Sequence, residues 1–151
     1  MKQIRDILNK KGVSLIFVIL VLLVMSILSV AVFTLFSSNL VTAKHQQDSV
    51  KAHFLAISGV EMSFAAVIDT ADGDSLLVSY FKANDVTSTM NPLTHTLELE
   101  EGNVDIEVSS YIDEGERYIL IKAIGYPDAS TTSTELTMHF NALHPEIQRW
   151  D

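Results

Sequence analysis

The sequence predicts an α+β fold in which a long N-terminal helix, with a transmembrane half and an amphipathic half, packs on a roughly four-stranded antiparallel sheet. Residues 13–43 contain no charged side chain. Helical periodicity continues beyond them to about residue 70, and from Thr96 onward the apolar pattern changes to strict alternation. These observations divide the chain into a basic leader (1–12), a transmembrane helix (13–43), its amphipathic continuation (44–71), and a connector followed by the sheet (72–151).

Seventeen of the 22 residues from Leu15 to Phe36 are Leu, Ile, Val or Phe. Each favours insertion by roughly 0.3–0.6 kcal/mol near the centre of a span, so together they supply about 5–10 kcal/mol. The run is also long enough, since a bilayer needs about 20 residues at 1.5 Å rise. Ser14, Ser26, Ser29 and Thr34 offset little of this, because a hydroxyl on a helix can bond back to its own backbone. Lys2, Arg5, Lys10 and Lys11 against Asp6 give residues 1–12 a net charge of +3, which marks the cytoplasmic side.

Residues 13–151 hold 6 Lys and Arg against 18 Asp and Glu, a net charge of −12. That balance disfavours nucleic acid and anionic lipid surfaces as partners of the outer domain. With no cysteine in the chain, neither a disulfide nor a thiolate metal site can staple the fold. The outer domain depends on packing.

Val50, Phe54, Ile57, Phe64 and Ile68 recur at helical spacing after the apolar run and are the expected helix–sheet packing residues. Nothing breaks the helix before them: no proline occurs from Met1 to Met90, and Gly59 is the only glycine between Val13 and Asp72. The alternating segments follow. Leu97 and Leu99, then Val104, Ile106 and Val108, then Ile119, Ile121 and Ala123, and last Leu136, Met138 and Phe140 each mark one face of a strand. Leu120 and Ile124 leave the other face of the third strand less polar than its neighbours. Glu101-Gly102-Asn103, Asp113-Glu114-Gly115-Glu116 and Gly125-Tyr126-Pro127-Asp128 carry turn chemistry, and such short links favour antiparallel pairing. Residues 72–92 read as a connector with a short helical or extended piece around Leu76–Phe81.

Lys10-Lys11-Gly12, then Val13-Ser14-Leu15-Ile16 opening an uncharged helix, then a helix-plus-sheet domain, together resemble the type IV pilins and the pseudopilins of type II secretion. Lys51-Ala52-His53-Phe54-Leu55-Ala56-Ile57-Ser58-Gly59-Val60-Glu61 also resembles the post-membrane segment of PilX-type minor pilins. The resemblance implies cleavage between Gly12 and Val13 by a prepilin peptidase, which also methylates the new terminus. It implies as partners the lipid bilayer, other pilin or pseudopilin subunits and the pilus assembly machinery. It places the chain in the cytoplasmic membrane as a single-pass protein with its N-terminus inside, and at the cell surface once assembled. At the fifth mature position the family carries a glutamate; this chain has Phe17. Lacking that carboxylate, the subunit would lose the usual docking contact with a neighbour's terminal amine while keeping its own Val13 amine, an asymmetry suited to a filament tip or an initiating position.

Other chemistries find little footing. Asp69, Asp72 and Asp74 around Gly73 do not follow the spacing of a calcium loop. Glu98, Glu100 and Glu101, and likewise Asp113, Glu114 and Glu116, read as solvated edges. His45, His53, His95, His139 and His144 stand singly, without zinc-ligand spacing. No nucleophile elbow, phosphate loop or dinucleotide fingerprint occurs. The sequence therefore predicts a protein that is not an enzyme, without a cofactor or metal. Trp150 is a candidate interaction anchor or a residue folded back on its own domain. Two alternatives compete with a filament subunit. One is a secreted protein cut after Val41-Thr42-Ala43, against which the apolar run is too long for a signal peptide. The other is a single-pass protein that never polymerises and carries a binding or adhesion domain.

Overall fold

The alternation of apolar and polar residues between Thr96 and Phe140 requires a sheet with one dry face, and that face requires a cover. Both are present in the computed structural model, which describes residues 14–70 and 73–150 in full and, for residues 2–13, the helical backbone without side chains. Helix α1 runs Lys2–Ile68 and a single turn, α2, spans Leu76–Ser79. The strands are β1 Leu93–Leu99, β2 Gly102–Asp113, β3 Glu116–Pro127, β4 Thr134–Asn141 and β5 His144–Trp150. The chain divides into two units, Met1–Lys44 and His45–Asp151.

The second unit is an α+β domain. Its sheet has the order β1-β2-β3-β4-β5 with every neighbouring pair antiparallel, a meander joined by short turns. The β2–β3 hairpin closes through Glu114 and Gly115, both at positive φ (51° and 83°), as the two-residue turns that match strand twist require. On the inner face, Val104, Ile106 and Val108 of β2 line up with Ile119, Ile121 and Ala123 of β3 and with Met138 and Phe140 of β4, all buried.

The sheet has five strands where about four were expected. β5 reads His-Pro-Glu-Ile-Gln-Arg-Trp and is mostly exposed on both faces, so no burial imposes alternation on it. Its Pro145 also argues against a strand in sequence, yet an edge strand tolerates proline because one row of its N–H groups faces solvent. A two-residue link, Ala142-Leu143, joins it to β4, and the Asn141 side chain stabilises the bend by accepting the Leu143 N–H at 2.8 Å.

The helix covers the sheet with a different stripe from the expected one. The buried residues of α1, among those described, are Ala52, Leu55, Ala56, Gly59, Val60, Ser63 and Val67. Val50 and Phe54 are instead 55% and 63% exposed, Ile68 is 37% exposed, and Ile57 is half-buried. Of the expected five, Phe64 packs on the core, edge-to-face against Phe140 at 5.1 Å. The reason is distance. A Cβ placed on Gly125 of β3 would lie 2.3 Å from the Ala52 carbonyl oxygen and 2.9 Å from the Ala56 amide nitrogen, so helix backbone rests on strand backbone there. One placed on Gly59 would lie 2.5 Å from Val104 Cγ1. Only small residues fit such a contact, and Ala52, Ala56, Gly59 and Ser63 recur at helical spacing to supply it. The buried Ser63 hydroxyl donates to the Gly59 carbonyl at 2.6 Å, which leaves no unpaired polar group in the seam. Lys51 reaches over the end of the sheet to the Glu101 carboxylate, whose hydrogen bond and charge raise the lysine pKa.

The connector is fastened by one side chain. Leu77, Phe81 and Ala83 are buried from its side, and Arg117 of β3, 2% exposed, holds the rest. Its Nε donates to the Asp85 carbonyl at 3.1 Å and its Nη1 to Ser110 Oγ at 2.8 Å, while Nη2 donates to the carbonyls of Asp85 and Ser88. Among the described residues no carboxylate forms an ion pair with it; the guanidinium is satisfied by backbone acceptors and hydroxyls. The exposed Asp85 carboxylate instead accepts the Thr87 hydroxyl at 2.7 Å and the Thr87 N–H at 2.9 Å, and these bonds, with help from Ser88, hold its pKa down to about 2.

Three outcomes follow from this packing. Gly125→Ala should destabilise the chain by about 1–3 kcal/mol in chemical denaturation, because the seam must open to admit a methyl group. Arg117→Met should cost about 1–3 kcal/mol for each carbonyl left without a donor and should make residues 82–90 the first site of limited proteolysis. Since the Asp85 pKa is depressed in the folded chain, its contribution to connector order is present above the ordinary carboxylate range and is lost as pH falls from about 4 toward 2. Carboxyl NMR titration should place the Asp85 midpoint near 2 and return it toward 4 in Thr87→Val.

Candidate functional site

The feature of the chain least explained by its own packing is the apolar length of α1. From Ser14 to Ala43 every side chain is exposed except the half-buried Ser37. Leu15, Ile16, Phe17, Val30, Val32, Phe33 and Leu35 each show more than 60% of their surface. A soluble domain does not leave such a length of aliphatic surface in water. Among the described residues this is the single helix long and apolar enough to cross a membrane.

Every hydroxyl from Leu15 to Phe36, and Thr42 beyond it, bonds back to its own helix. Ser26 Oγ donates to the Leu22 carbonyl at 2.9 Å, Ser29 Oγ to Met25 at 2.8 Å, Thr34 Oγ1 to Val30 at 2.8 Å and Thr42 Oγ1 to Ser38 at 3.0 Å. Each hydroxyl thus presents its carbon side outward, and the backbone bonds of a helix are closed within the segment. Those are the two conditions a lipid-facing segment must meet.

Phe17 lies on this surface and is 66% exposed. The backbone at Gly12 and Val13 is helical, and the side chains of Lys10, Lys11 and Val13 lie outside the described residues, as does Asp72. In the second unit, α1 turns Val50 and Phe54 away from the sheet, at 55% and 63% exposure. Trp150 stands at the end of β5, opposite Met138, and is 44% exposed.

Of the residues that sequence reasoning set aside as chemistry, Asp113, Glu114, Glu116, His139 and His144 line one open cleft at the β2–β3 turn. Among the described residues no group of three or more His, Asp or Glu side chains is placed to hold a metal ion. His139 pairs instead with the Tyr111 hydroxyl at 3.2 Å beside a Tyr111–Tyr118 stack on the outer face of the sheet, and His144 pairs with Glu146. The small-residue seam is what sequence reasoning missed. Its signal was present as Ala52, Ala56, Gly59 and Ser63, but bulk was taken as the mark of the packing face.

Comparison with family models, curated proteins and solved structures finds no match to this chain.

A charge placed in the middle of the run tests whether it enters a bilayer. Leu23→Arg should shift membrane insertion unfavourably by about 2.5–3.5 kcal/mol, read as the inserted fraction in a glycosylation-tag assay. Because the wild-type run holds a reserve of about 5–10 kcal/mol, one arginine should weaken insertion and a second, at Leu28, should abolish it.

Proposed function

We propose that this chain is a minor pilin or pseudopilin subunit of a type IV pilus or type II secretion-like filament, held in the cytoplasmic membrane until it is assembled. The observation that carries the proposal is that one helix does two jobs in sequence order. Its first part exposes an uncharged apolar surface on all sides, and its later part is clasped through small residues to an antiparallel sheet. A surface of that kind suits lipid before assembly and the helices of neighbouring subunits afterwards.

The edges of the helix support the same proposal. Lys10-Lys11-Gly12 followed by Val13 matches a prepilin processing site, so a peptidase at the cytoplasmic face would release a chain that begins with an apolar helix and a free amine. Phe17 replaces the carboxylate that would otherwise sit in this surface. An acidic side chain there costs about 2.5–3.5 kcal/mol on insertion, so a subunit keeps one only where it is used. Without it the subunit offers a neighbour its amine but not the matching acid, which favours a tip or initiating position over the shaft. The same substitution is what favours the second reading, a single-pass protein that never polymerises and presents its outer domain for binding or adhesion.

Processing separates the two. After co-expression with a prepilin peptidase, N-terminal mass spectrometry should find a chain beginning at N-methylated Val13, and Gly12→Ala should block that cut while membrane insertion persists. An intact Met1 would favour the non-polymerising anchor, and a start at Lys44 would exclude both. In a filament-forming host, Phe17→Glu should move the subunit from the tip into the shaft; labelling that stays at the tip would refute the role given to Phe17.

A further inference from the structure

The two edges of the sheet are unlike. β5 is blunted: Pro145 removes a donor, the register slips between Phe140 and Asn141, and Glu146 and Arg149 stand among its exposed residues. β1 carries one exposed charge, Glu98, and neither of the other devices. Leu93–Leu99 contains no proline, glycine or lysine and pairs with β2 residue for residue, from Leu93 opposite Val108 to Leu99 opposite Gly102. Among the described residues no strand lies beyond it. Its outer row of N–H and C=O groups is therefore an unbroken template for another extended backbone.

The side chains on either side of that row say what such a backbone must carry. On the helix side, a cavity of about 320 Å³ opens beside the edge, lined chiefly by Met62, Ala66 and Val67 of α1, Leu76 of α2, and Leu93 and Leu97 of β1, with the exposed His95 between the two leucines at its rim. Met62 and Leu76 are 48% and 39% exposed there, so apolar surface is left over that no described residue covers. On the opposite face the edge carries Thr94, Thr96 and Glu98, next to Glu107 and Asp105 of β2, and Thr96 Oγ1 donates to Asp105 Oδ1 at 2.7 Å. That lip is acidic. Successive residues of a strand point to opposite faces, so the fitting segment alternates apolar residues toward the cavity with basic residues toward the carboxylates.

A second copy of this chain fits poorly. Two β1 strands laid edge to edge would bring the Glu98, Asp105 and Glu107 carboxylates of both copies onto one face, and β5 is the blunted edge. We propose that β1 is the acceptor edge for an extended segment of a partner protein, alternating apolar and basic residues, which adds to the sheet as a sixth strand. The proposal is independent of whether the chain enters a filament, since it uses the second unit alone.

The test uses the full chain in detergent micelles and a blocked octapeptide of alternating valine and lysine. Hydrogen exchange should slow about tenfold or more at residues 93–99 and stay unchanged at residues 144–150, as a strand added at one edge requires. A peptide with the same side chains but alternate N-methylated amides should give no protection, and neither should an octapeptide of valine and glutamate. Thr96→Lys should weaken the valine–lysine peptide about tenfold through like charge while leaving the unfolding midpoint in place. Equal protection by the N-methylated peptide would show charge attraction without strand pairing. That outcome, protection at β5 in place of β1, or no protection at all would overturn the proposal.

Discussion

The second unit depends on how closely helix α1 approaches strand β3. At Gly125 the two backbones meet with no side chain between them, and the space a methyl group would need is already held by the Ala52 carbonyl and the Ala56 amide. That contact sets the rotation of the helix. With Ala52, Ala56, Gly59 and Ser63 turned to the sheet, Leu55, Val60 and Val67 fall into the core beside them, and Val50 and Phe54 are carried to the far side. In a domain with no disulfide, much of the specificity of packing must come from such a fit, because close-packed interiors feel changes of a single methylene.

The same constraint explains which parts of the fold were legible in the sequence. Strands β2, β3 and β4 have one dry face, so burial wrote alternation into Val104–Val108, Ile119–Ala123 and Leu136–Phe140, and the hairpin at Glu114-Gly115 was marked by its turn residues. β5 buries almost nothing and left no pattern to read. The helix was legible as a helix but not in its rotation, because apolar periodicity names a face only when the apolar residues are the ones that pack. Here the bulky residues Val50 and Phe54 point outward and the small ones point inward. Arg117 was invisible for a related reason. A lone arginine in a strand reads as a surface residue until three dimensions bring the carbonyls of Asp85 and Ser88 to its guanidinium.

For the candidate functional surface the situation is reversed. The apolar run from Leu15 to Phe36 was plain in composition, and the structure adds that its hydroxyls are closed onto their own helix and that every one of its side chains is exposed. An apolar surface so exposed needs an external partner. A bilayer supplies it by hydropathy alone, whereas a bundle of like helices would need the processing site at Gly12 and Val13 to be used.

The central structural claim is that α1 meets the sheet through Ala52, Ala56, Gly59 and Ser63, with Val60 in the core beside them, and turns Val50 and Phe54 away. The chain has no native cysteine, so single-cysteine variants test this without background. In the full chain in detergent micelles, Phe54→Cys should react with a water-soluble maleimide at a rate near that of an exposed thiol, and Val60→Cys should react only on unfolding. Rapid labelling at residue 60 with protection at residue 54 would contradict the account, for it would mean that the helix meets the sheet by the opposite face.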